Sequence, residues 1–436
     1  MRSARPLSGL PSLVLGALAL GCAVTAREAP ERAPRATWVS RAIPEARGDF
    51  RVLPDGRRAA IRYQGWTTRD FSAFRTYAYD DARPEPAVEQ RTMPTRSTGD
   101  PLEGRALFRD RAKGPCTGCH LVPGDDVWPA GNVGPDLSTI GDRRLPDQYL
   151  YQLLWDPRVV FPNTAMPPWG RNGLLTSDEI VHLVAYLQTL TGPPPPETDP
   201  DRNPFTRKKP VGFGDGLDPT NNPAVLLAED GEARWEEKGP AGRACADCHP
   251  GGRARAMRSV ATRYPKYQKA YGRVMSLEDF LEAHGPETTG RPYPVESEDN
   301  LTMTILVKMA SNGLPVATDT SSPEALAAIA RGRATFTRKV GERNHSCADC
   351  HTPARGANKF LGGRLLSDVA DGLTRHFPTW RTSQGEVWDL RKRFQWCMTP
   401  LGANMLAADA VEYAELELYL TTFDAGKPLR VPGIRH

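Results

Sequence analysis

Apolar residues recur at helical spacing in several segments of the chain, and polar, proline-rich stretches separate these segments. The clearest is TSDEIVHLVAYLQTL at 176–190, where a Thr-x-x-Glu start predicts a capped helix with one apolar face. The segments DPLEGRALFRDRA at 100–112 and AADAVEYAELELYLTTF at 407–423 show the same spacing. The pattern predicts a mainly α fold with extensive loops between short helices.

A glycine followed four residues later by an aromatic residue occurs three times: GRALF at 104–108, GEARW at 231–235 and GRATF at 332–336. On a helix the two residues share one face, where glycine permits the close approach of a second helix and the ring fills the contact. The apolar helices at 176–190 and 407–423, both with a tyrosine, are the expected crossing partners. The repetition predicts three copies of one small helical module.

The bulk composition also favours several small modules. The chain has 436 residues, of which 39% are apolar and 41 are proline. A chain of this length predicts about two to four domains. The net charge of +4 is mild, and no basic run interleaved with aromatic residues predicts a nucleic-acid partner.

The first 26 residues predict a secretory signal. Basic residues in MRSARP precede the apolar LPSLVLGALALG, and AVTA supplies a small-residue cleavage site that ends at Ala26. Alternatively, LALGC is a lipobox with Cys22 acylated, although Ala19 stands three residues before that cysteine. Both alternatives predict a protein exported to the periplasm. A lipid at Cys22 would be its membrane anchor, since no later apolar run reaches membrane-spanning length.

Six cysteines lie in three CxxCH motifs. At this spacing two thiols add across the vinyl groups of a haem, and the adjacent histidine becomes the proximal iron ligand. Zinc sites and thioredoxin-like pairs also use CxxC, but three copies followed by His in an exported chain favour haem. The sequence predicts three covalently bound c-type haems, attached at Cys116 and Cys119, Cys245 and Cys248, and Cys347 and Cys350, with His120, His249 and His351 as iron ligands.

Each iron then needs a second side-chain ligand, as in electron carriers, or an open position, as in gas and peroxide sites. Met166, in the irregular NTAMPPWG loop, follows His120 by 46 residues and is the predicted ligand in the first module. In the third module the same count of 46 from His351 reaches Cys397. A cysteine that only fills the core, or ligation by Met398, are the alternatives. Thiolate ligation lowers a haem potential and His/Met ligation raises it, so electrons are expected to run from the third module to the first.

The second module has no spare cysteine. His284 ends the helix-like SLEDFLEAH before a Gly-Pro turn and is the preferred sixth ligand, which would give bis-histidine ligation. The alternatives are a solvated His284 and the methionines Met275, Met303 and Met309. The other histidines are not predicted ligands: His182 is expected in the core or at its boundary, and His345 and His376 at the surface.

Three cations lie close before Cys397. Arg391 and Lys392 are expected on an ordinary solvated face. Arg393 lies four residues before Cys397, the spacing that places two side chains on one helical face. Its guanidinium would favour a thiolate and could bind an anionic sulfur substrate in bidentate fashion.

These features divide the chain into six segments. The stretch TGPPPPETDPDRNPFTRKKPVGFGDG indicates a semi-rigid linker. Residues 27–97 hold no motif and are expected only as a wrapping extension. The segments are the signal at 1–26, the extension at 27–97, the first module at 98–192, the linker at 193–215, the second module at 216–330 and the third module at 331–436.

The motifs resemble the SoxAX cytochromes of bacterial thiosulfate oxidation, with both subunits joined in one chain. GRALFRDRAKGPCTGCH, GNVGPDLSTIGDR and NTAMPPWGRNGLLTSDEIVHLVAYLQTL are similar to the monohaem SoxX subunit. CADCHPGGRARAMRSVATRYPKY, SCADCHTP, FPTWRTSQGEVWDLRKRFQWC and the final helix are similar to the dihaem SoxA subunit. The resemblance implies three cytochrome c-type haem modules, one SoxX-like and two SoxA-like.

The resemblance implies an L-cysteine S-thiosulfotransferase, an oxidoreductase and sulfur transferase. In that family the active-site haem is bound by a histidine and a persulfidated cysteine, which correspond to His351 and Cys397, and the active-site arginine corresponds to Arg393. Thiosulfate is coupled to a cysteine of the carrier protein SoxYZ, and a soluble cytochrome c takes the two electrons. Dihaem members usually have a cysteine where this chain has His284, which puts the redox role of that haem in doubt.

Two other functions remain open at this point. A thiosulfate dehydrogenase would form tetrathionate without a carrier protein. A non-enzymatic multihaem electron-transfer protein would use Cys397 only as a ligand. A dihaem peroxidase is disfavoured because it needs an open iron position.

Overall fold

The computed structural model describes most of the chain after residue 86. The described residues are 50–52, 58–60, 87–95, 98–110, 113, 116–124, 129–192, 203–208, 221–341, 343–401, 403, 406 and 408–435. The predicted signal at 1–26, with Cys22, lies outside them, and so does most of the predicted linker. Within the described part, no helix is both long and apolar enough to cross a membrane.

Helices dominate the described residues, which confirms the mainly α prediction. The helices are α1 (Pro101–Arg109), α2 (Asp147–Trp155), α3 (Ser177–Thr189), α4 (Val225–Glu236), α5 (Cys245–Cys248), α6 (Arg253–Ala256), α7 (Leu277–Thr288), α8 (Glu298–Met309), α9 (Pro323–Thr337), α10 (Cys347–His351), α11 (Leu390–Leu401) and α12 (Val411–Thr421). The strands are β1 (Phe50–Val52), β2 (Arg58–Ala60), β3 (Lys266–Gln268), β4 (Arg273–Met275), β5 (Phe360–Leu361), β6 (Arg364–Leu365), β7 (Thr379–Arg381), β8 (Glu386–Trp388) and β9 (Gly433–Arg435). The antiparallel pairs are β1 with β2, β3 with β4, β5 with β6, and β7 with β8. Strand β7 also pairs with β9, in parallel.

The glycine–aromatic repeats of the first and third modules mark helix crossings. At Gly104 of α1 a Cβ would lie 2.0 Å from the carbonyl oxygen of His182 in α3. At Gly332 of α9 a Cβ would lie 2.1 Å from that of Glu415 in α12. In both modules the aromatic ring contacts a tyrosine of the partner helix: Phe108 with Tyr186 at 5.6 Å, and Phe336 with Tyr419 at 5.4 Å between ring centres. Both predicted crossing partners are therefore confirmed.

The second module uses a crossing partner that the sequence did not indicate. Gly231 of α4 faces α8, where a Cβ would lie 3.0 Å from that of Leu306. Most residues of α8 are buried on every side, including polar ones such as Asn300 and Thr304. A helix buried all round shows no contrast between an apolar and a polar face, so periodicity gives little signal there.

The cations expected on a solvated face are buried instead. Arg391 is 1% exposed and Lys392 is 3% exposed. An Arg391 Nη atom lies 2.7 Å from a carboxylate oxygen of Asp279 in α7 and 3.7 Å from one of Glu417 in α12. The expectation was wrong because the acidic partners come from helices that are distant in sequence.

The described end of the 27–97 extension lies along α2. The backbone N–H groups of Glu89, Arg91 and Met93 donate to the side chains of Asp156, Gln152 and Gln148 at 3.0, 2.8 and 2.8 Å, respectively. Since these acceptors lie on α2 or directly after it, residues 87–95 form a strap over the first module. The helix thereby satisfies the backbone donors of an otherwise irregular segment.

Candidate functional site

Two of the three CxxCH histidines are oriented for metal binding. His120 Nδ1 lies 2.8 Å from the carbonyl oxygen of Pro135, and His351 Nδ1 lies 2.9 Å from that of Ser367. A carbonyl oxygen only accepts, so each Nδ1 carries the hydrogen and each Nε2 keeps its lone pair. Burial lowers the pKa of both imidazoles, to about 4 for His351. Both histidines are therefore neutral and held by a backbone carbonyl, and their assignment as iron ligands stays a prediction.

The thiols beside these histidines fit covalent attachment of a haem. Cys116 and Cys119 form no disulfide and lie on and directly after a short 3₁₀ turn. Burial raises the pKa of Cys116 to about 12 and that of Cys119 to about 11. Gly134 makes room for His120, which directly follows Cys119, because a Cβ at Gly134 would lie 2.3 Å from the His120 ring. Because no disulfide uses them, both thiols are available to add to a haem.

In the second module, α7 places His284 opposite the motif histidine His249. Their ring centres are 6.4 Å apart, and the ring planes make an angle of 51°. Two imidazoles bound to opposite sides of one metal, each at about 2 Å, have ring centres roughly 6 Å apart. This separation is compatible with one iron between them, and Phe280 stacks on the His284 ring at 4.9 Å between ring centres. The spacing supports His284 as a ligand, which stays a prediction.

The helix that carries His284 is longer than expected. It begins with the Ser276–Asp279 capping box and continues through Gly285 and Pro286 to Thr288. Proline fixes φ at a value compatible with a helix and removes only one N–H, so the last turn persists. His284 therefore lies one turn before the C-terminus of α7 and not at a Gly-Pro turn. The alternative ligands Met275 and Met303 are fully buried.

Met166 lies in the irregular loop between α2 and α3. Its N–H donates to Oγ1 of Thr164 at 3.0 Å, and its side chain packs partly against the core of the first module. This position is compatible with a ligand projecting from a loop toward the CxxCH motif. The assignment of Met166 as sixth ligand stays a prediction.

In the third module α11 places Arg393 against Cys397. An Nη of Arg393 donates to the sulfur of Cys397 at 3.1 Å, the contact that the four-residue spacing predicts. Cys397 is half-buried, whereas Met398 is 1% exposed and packs in the hydrophobic core. The packing of Met398 weighs against it as a ligand. The thiol that remains accessible therefore has a cation as hydrogen-bond donor.

Two further arginines, Arg364 and Arg381, lie within electrostatic range of this sulfur. Arg364 on β6 and Arg393 lie over the Trp396 ring, 4.9 and 5.1 Å from its centre. Burial, followed by the charges of Arg393 and Arg364, lowers the pKa of Arg381. Like charges crowded beside a thiol repel one another unless an anion lies among them. The arrangement suits a small dianion, with Cys397 at its edge.

Arg364 and Arg381 were not identified from the sequence. They lie on short strands, 33 and 16 residues before Cys397, and no helical or sequence spacing connects them to it. Arg381 ends the three-residue strand β7 directly after Trp380, and no local pattern singled it out. The tertiary fold assembles the cluster.

The first and third modules meet at their CxxCH motifs. In the turn that follows Phe360 of β5, the backbone N–H of Gly362 donates to the carbonyl oxygen of Gly118 at 2.7 Å. The backbone N–H of Asn132 donates to the carbonyl oxygen of Phe360 at 2.9 Å, and the side-chain Oδ1 of Asn132 accepts the N–H of Phe360 at 2.7 Å. Burial first, then the nearby Cys397 and Cys119, raise the pKa of Cys350 to about 12. Thiols of both motifs and Cys397 therefore lie within electrostatic range of one another.

Two histidines that were expected at the surface are not there. His376 is 9% exposed, and burial together with Arg435, Arg375 and Arg381 lowers its pKa well below the usual value. His345 is half-buried and contacts the carbonyl oxygen of Ala165 in the first module. Both surface expectations were wrong because packing between distant segments, which sequence polarity does not reveal, covers these side chains.

Family models match both parts of the chain. The model described as "SoxA/TsdA, cytochrome c domain" matches residues 230–316 and 331–429. The model described as "Cytochrome C oxidase, cbb3-type, subunit III" matches residues 99–187. Cytochrome c domains hold haem through CxxCH motifs, so this chain binds c-type haem covalently.

Curated relatives match about half of the chain. The chain is 31% identical over 216 residues to "L-cysteine S-thiosulfotransferase subunit SoxA" of Pseudaminobacter salicylatoxidans, which covers 49% of this chain and 73% of that protein. It is 30% identical over 207 residues to the protein of the same name from Allochromatium vinosum, covering 47% and 71%. The solved structure "Crystal structure of SoxXA from P. pantotrophus" is 26% identical, covers 50% of this chain and 81% of that one, and gives a TM-score of 0.46. With this identity over most of the length of a SoxA protein, the chain belongs to the SoxA family.

Proposed function

We propose that this chain is a single-chain SoxXA-type L-cysteine S-thiosulfotransferase that binds three haems. The observation that carries the proposal is the 3.1 Å hydrogen bond from Arg393 to Cys397 inside a cluster of three arginines. A cysteine that accepts a hydrogen bond from a cation, with two further cations nearby, is suited to covalent chemistry on a sulfur anion. The match of residues 230–316 and 331–429 to the SoxA/TsdA model and the separate cytochrome match at 99–187 support a fusion of SoxX-like and SoxA-like parts.

The proposed substrate is thiosulfate, and the acceptor is a cysteine thiol of a SoxYZ carrier. The overall reaction is R–SH + S₂O₃²⁻ → R–S–S–SO₃⁻ + H⁺ + 2e⁻. Arg393, Arg381 and Arg364 hold the sulfonate oxygens, which lowers the mutual repulsion of the guanidinium groups. The sulfur of Cys397, as thiolate or persulfide, bonds the sulfane sulfur as two electrons leave. The deprotonated carrier thiol then attacks that sulfane sulfur and releases Cys397.

Haem supplies the one-electron acceptors that this two-electron oxidation needs. His351 with Cys397, His249 with His284, and His120 with Met166 would hold the three irons. The contact between the first and third modules supports electron exit through the first module to a soluble cytochrome c. The predicted signal and the family of exported cytochromes support a periplasmic location.

The primary test is peptide mass spectrometry of Cys397 combined with product analysis. Native protein from thiosulfate-grown cells should carry one additional, reductant-sensitive sulfur atom on the Cys397 peptide. Cys397→Met should keep all three haems attached and abolish coupling of thiosulfate to the carrier. If the wild type shows no coupling and Cys397→Met reduces cytochrome c as the wild type does, the protein only transfers electrons and Cys397 is only a ligand.

A tetrathionate-forming thiosulfate dehydrogenase is the second candidate, because the matching family model covers both SoxA and TsdA proteins. That reaction joins two thiosulfate ions, 2 S₂O₃²⁻ → S₄O₆²⁻ + 2e⁻, and needs no carrier. Assays with and without SoxYZ separate the two functions. Tetrathionate formation at full rate without carrier would establish the dehydrogenase and reject the transferase.

A further inference from the structure

A tight turn of the third module, between α9 and α10, presents two side chains to the first module. Val340 and His345 form an antiparallel bridge, with N–H···O distances of 2.8 and 3.2 Å. This pairing places the ends of the turn side by side and so brings Lys339 close to His345. Both side chains reach the loop that carries Met166.

The two side chains bind consecutive carbonyl groups directly before Met166. The ammonium of Lys339 donates to the carbonyl oxygen of Thr164, and His345 Nε2 contacts that of Ala165. Since a carbonyl only accepts, His345 Nε2 carries the hydrogen. The side chain of Thr164 accepts the N–H of Met166 at 3.0 Å. The Met166 backbone is therefore held from inside its own loop and from the third module.

The turn is itself fixed to the third CxxCH motif. Lys339 Nζ lies 3.4 Å from a carboxylate oxygen of Asp349, which lies between Cys347 and Cys350. The same oxygen accepts the N–H and the hydroxyl of Ser346 at 2.8 and 2.9 Å. Asp349 is 1% exposed, so this anchor is shielded from solvent. A short, buried chain of contacts thus connects the third motif to the Met166 loop.

We propose that Lys339 and His345 are positioning residues for Met166, so that the third module controls methionine ligation, and hence the potential, of the first haem. The inference rests on the proposed ligation by Met166. A loop ligand keeps its bond to iron only if its backbone is held in place, and here two of the restraints come from the neighbouring module. The first module alone would lose them.

The test uses the full-length, haem-loaded protein with two readouts that do not depend on activity. One is the charge-transfer absorption band that ferric haem shows with a bound methionine sulfur, and the other is the midpoint potential of that haem in a redox titration. The Lys339→Met/His345→Phe double variant should lose most of the band and shift the potential downward, because methionine ligation raises it. His345→Gln, whose amide can still donate to Ala165, should retain both signals.

Lys359→Met is the matched control. Lys359 also donates across the module contact, to the carbonyl oxygen of Val133 at 3.4 Å, but away from Met166. An unchanged band in the double variant would overturn the inference. So would an equal loss in Lys359→Met, which would make the effect one of general docking. Met166→Leu separates the two proposals: if it leaves the wild-type band unchanged, or if the wild type has no such band, the Met166 ligation fails first.

Discussion

Arg393 donates a hydrogen bond to the sulfur of Cys397, and its positive charge disfavours the charged forms of the nearby Arg364 and Arg381. Burial, with Arg393 as the next cause, lowers the pKa of both Arg364 and Arg381. The site is thus preorganised for an anion that neutralises the cluster.

At this scale we expect Arg393→Gln to lower kcat/KM for thiosulfate. Hydrogen bonds to a charged group contribute about 1.5–3 kcal/mol, which corresponds to roughly 10- to 100-fold in rate. Arg393→Lys should recover only part of this, because an ammonium cannot bind in bidentate fashion. Steady-state assays with SoxYZ and cytochrome c measure the effect, with Arg333→Gln, on an exposed face of α9, as the control. A kcat/KM for Arg393→Gln within about twofold of wild type would contradict the assigned role.

Among the elements, α7, α11 and α12 are joined by buried charges. Arg391 of α11 reaches Asp279 of α7, and Lys308 of α8 lies 2.9 Å from Glu278 of α7. Asp279 also belongs to the box that caps α7. The helix that carries Cys397 is therefore tied to the start of the helix that carries His284. The network fixes the relative position of two candidate iron ligands.

Arg391→Met should destabilise the protein by about 3–5 kcal/mol, because it leaves buried carboxylates without their cation. Chemical denaturation measures the loss as a lower denaturant midpoint. Arg333→Met, on an exposed face, should stay within about 0.5 kcal/mol of wild type. Equal, small effects of the two variants would show that the buried network contributes no net stability.

Glu417 of α12 gives this network a pH dependence. Burial raises the pKa of Glu417 from 4.5 to about 8, and the charge of Glu278 adds to this shift. The cations Arg391 and Lys308 lower the same pKa but do not offset the rise. Between pH 4.5 and about 8 the native state therefore holds a proton that the unfolded chain has released. The contribution of Glu417 to the free energy of unfolding is full below about pH 4.5 and is lost as the pH rises through about 8. Glu417→Gln should flatten the fall in unfolding free energy between pH 5 and 8. An identical slope in wild type and variant would reject the assignment.

At the scale of the whole molecule, the contact between the first and third modules is the route by which electrons would leave. It consists of the Phe360 turn packed on Gly118 and Asn132, together with the contacts of Lys339 and His345. In a single chain this contact has a fixed one-to-one stoichiometry. The candidate sulfur site and the candidate exit site can then work as one unit.

Met166→His should separate these two functions. Replacing the thioether by imidazole lowers the potential of the first haem, and electron transfer from the third module then loses driving force. Stopped-flow reduction of cytochrome c should slow, while formation of the first product on the carrier stays at the wild-type rate. Unchanged cytochrome c reduction would mean that electrons leave by another haem.

Residue spacing by itself determined the CxxCH motifs, the glycine–aromatic faces of α1 and α9, and the contact of Arg393 with Cys397. Each is a local relation: three to five residues on one turn, or a glycine and a ring on one helical face. Tertiary structure decided the rest. It places Arg391 between acidic residues of α7 and α12. It places Arg364 and Arg381, which lie on short strands, near Cys397. It also places His345, from the polar segment before the third CxxCH motif, against the Met166 loop. These are contacts between residues far apart in sequence, and such pairings depend on how the modules pack, which no periodicity along the chain encodes.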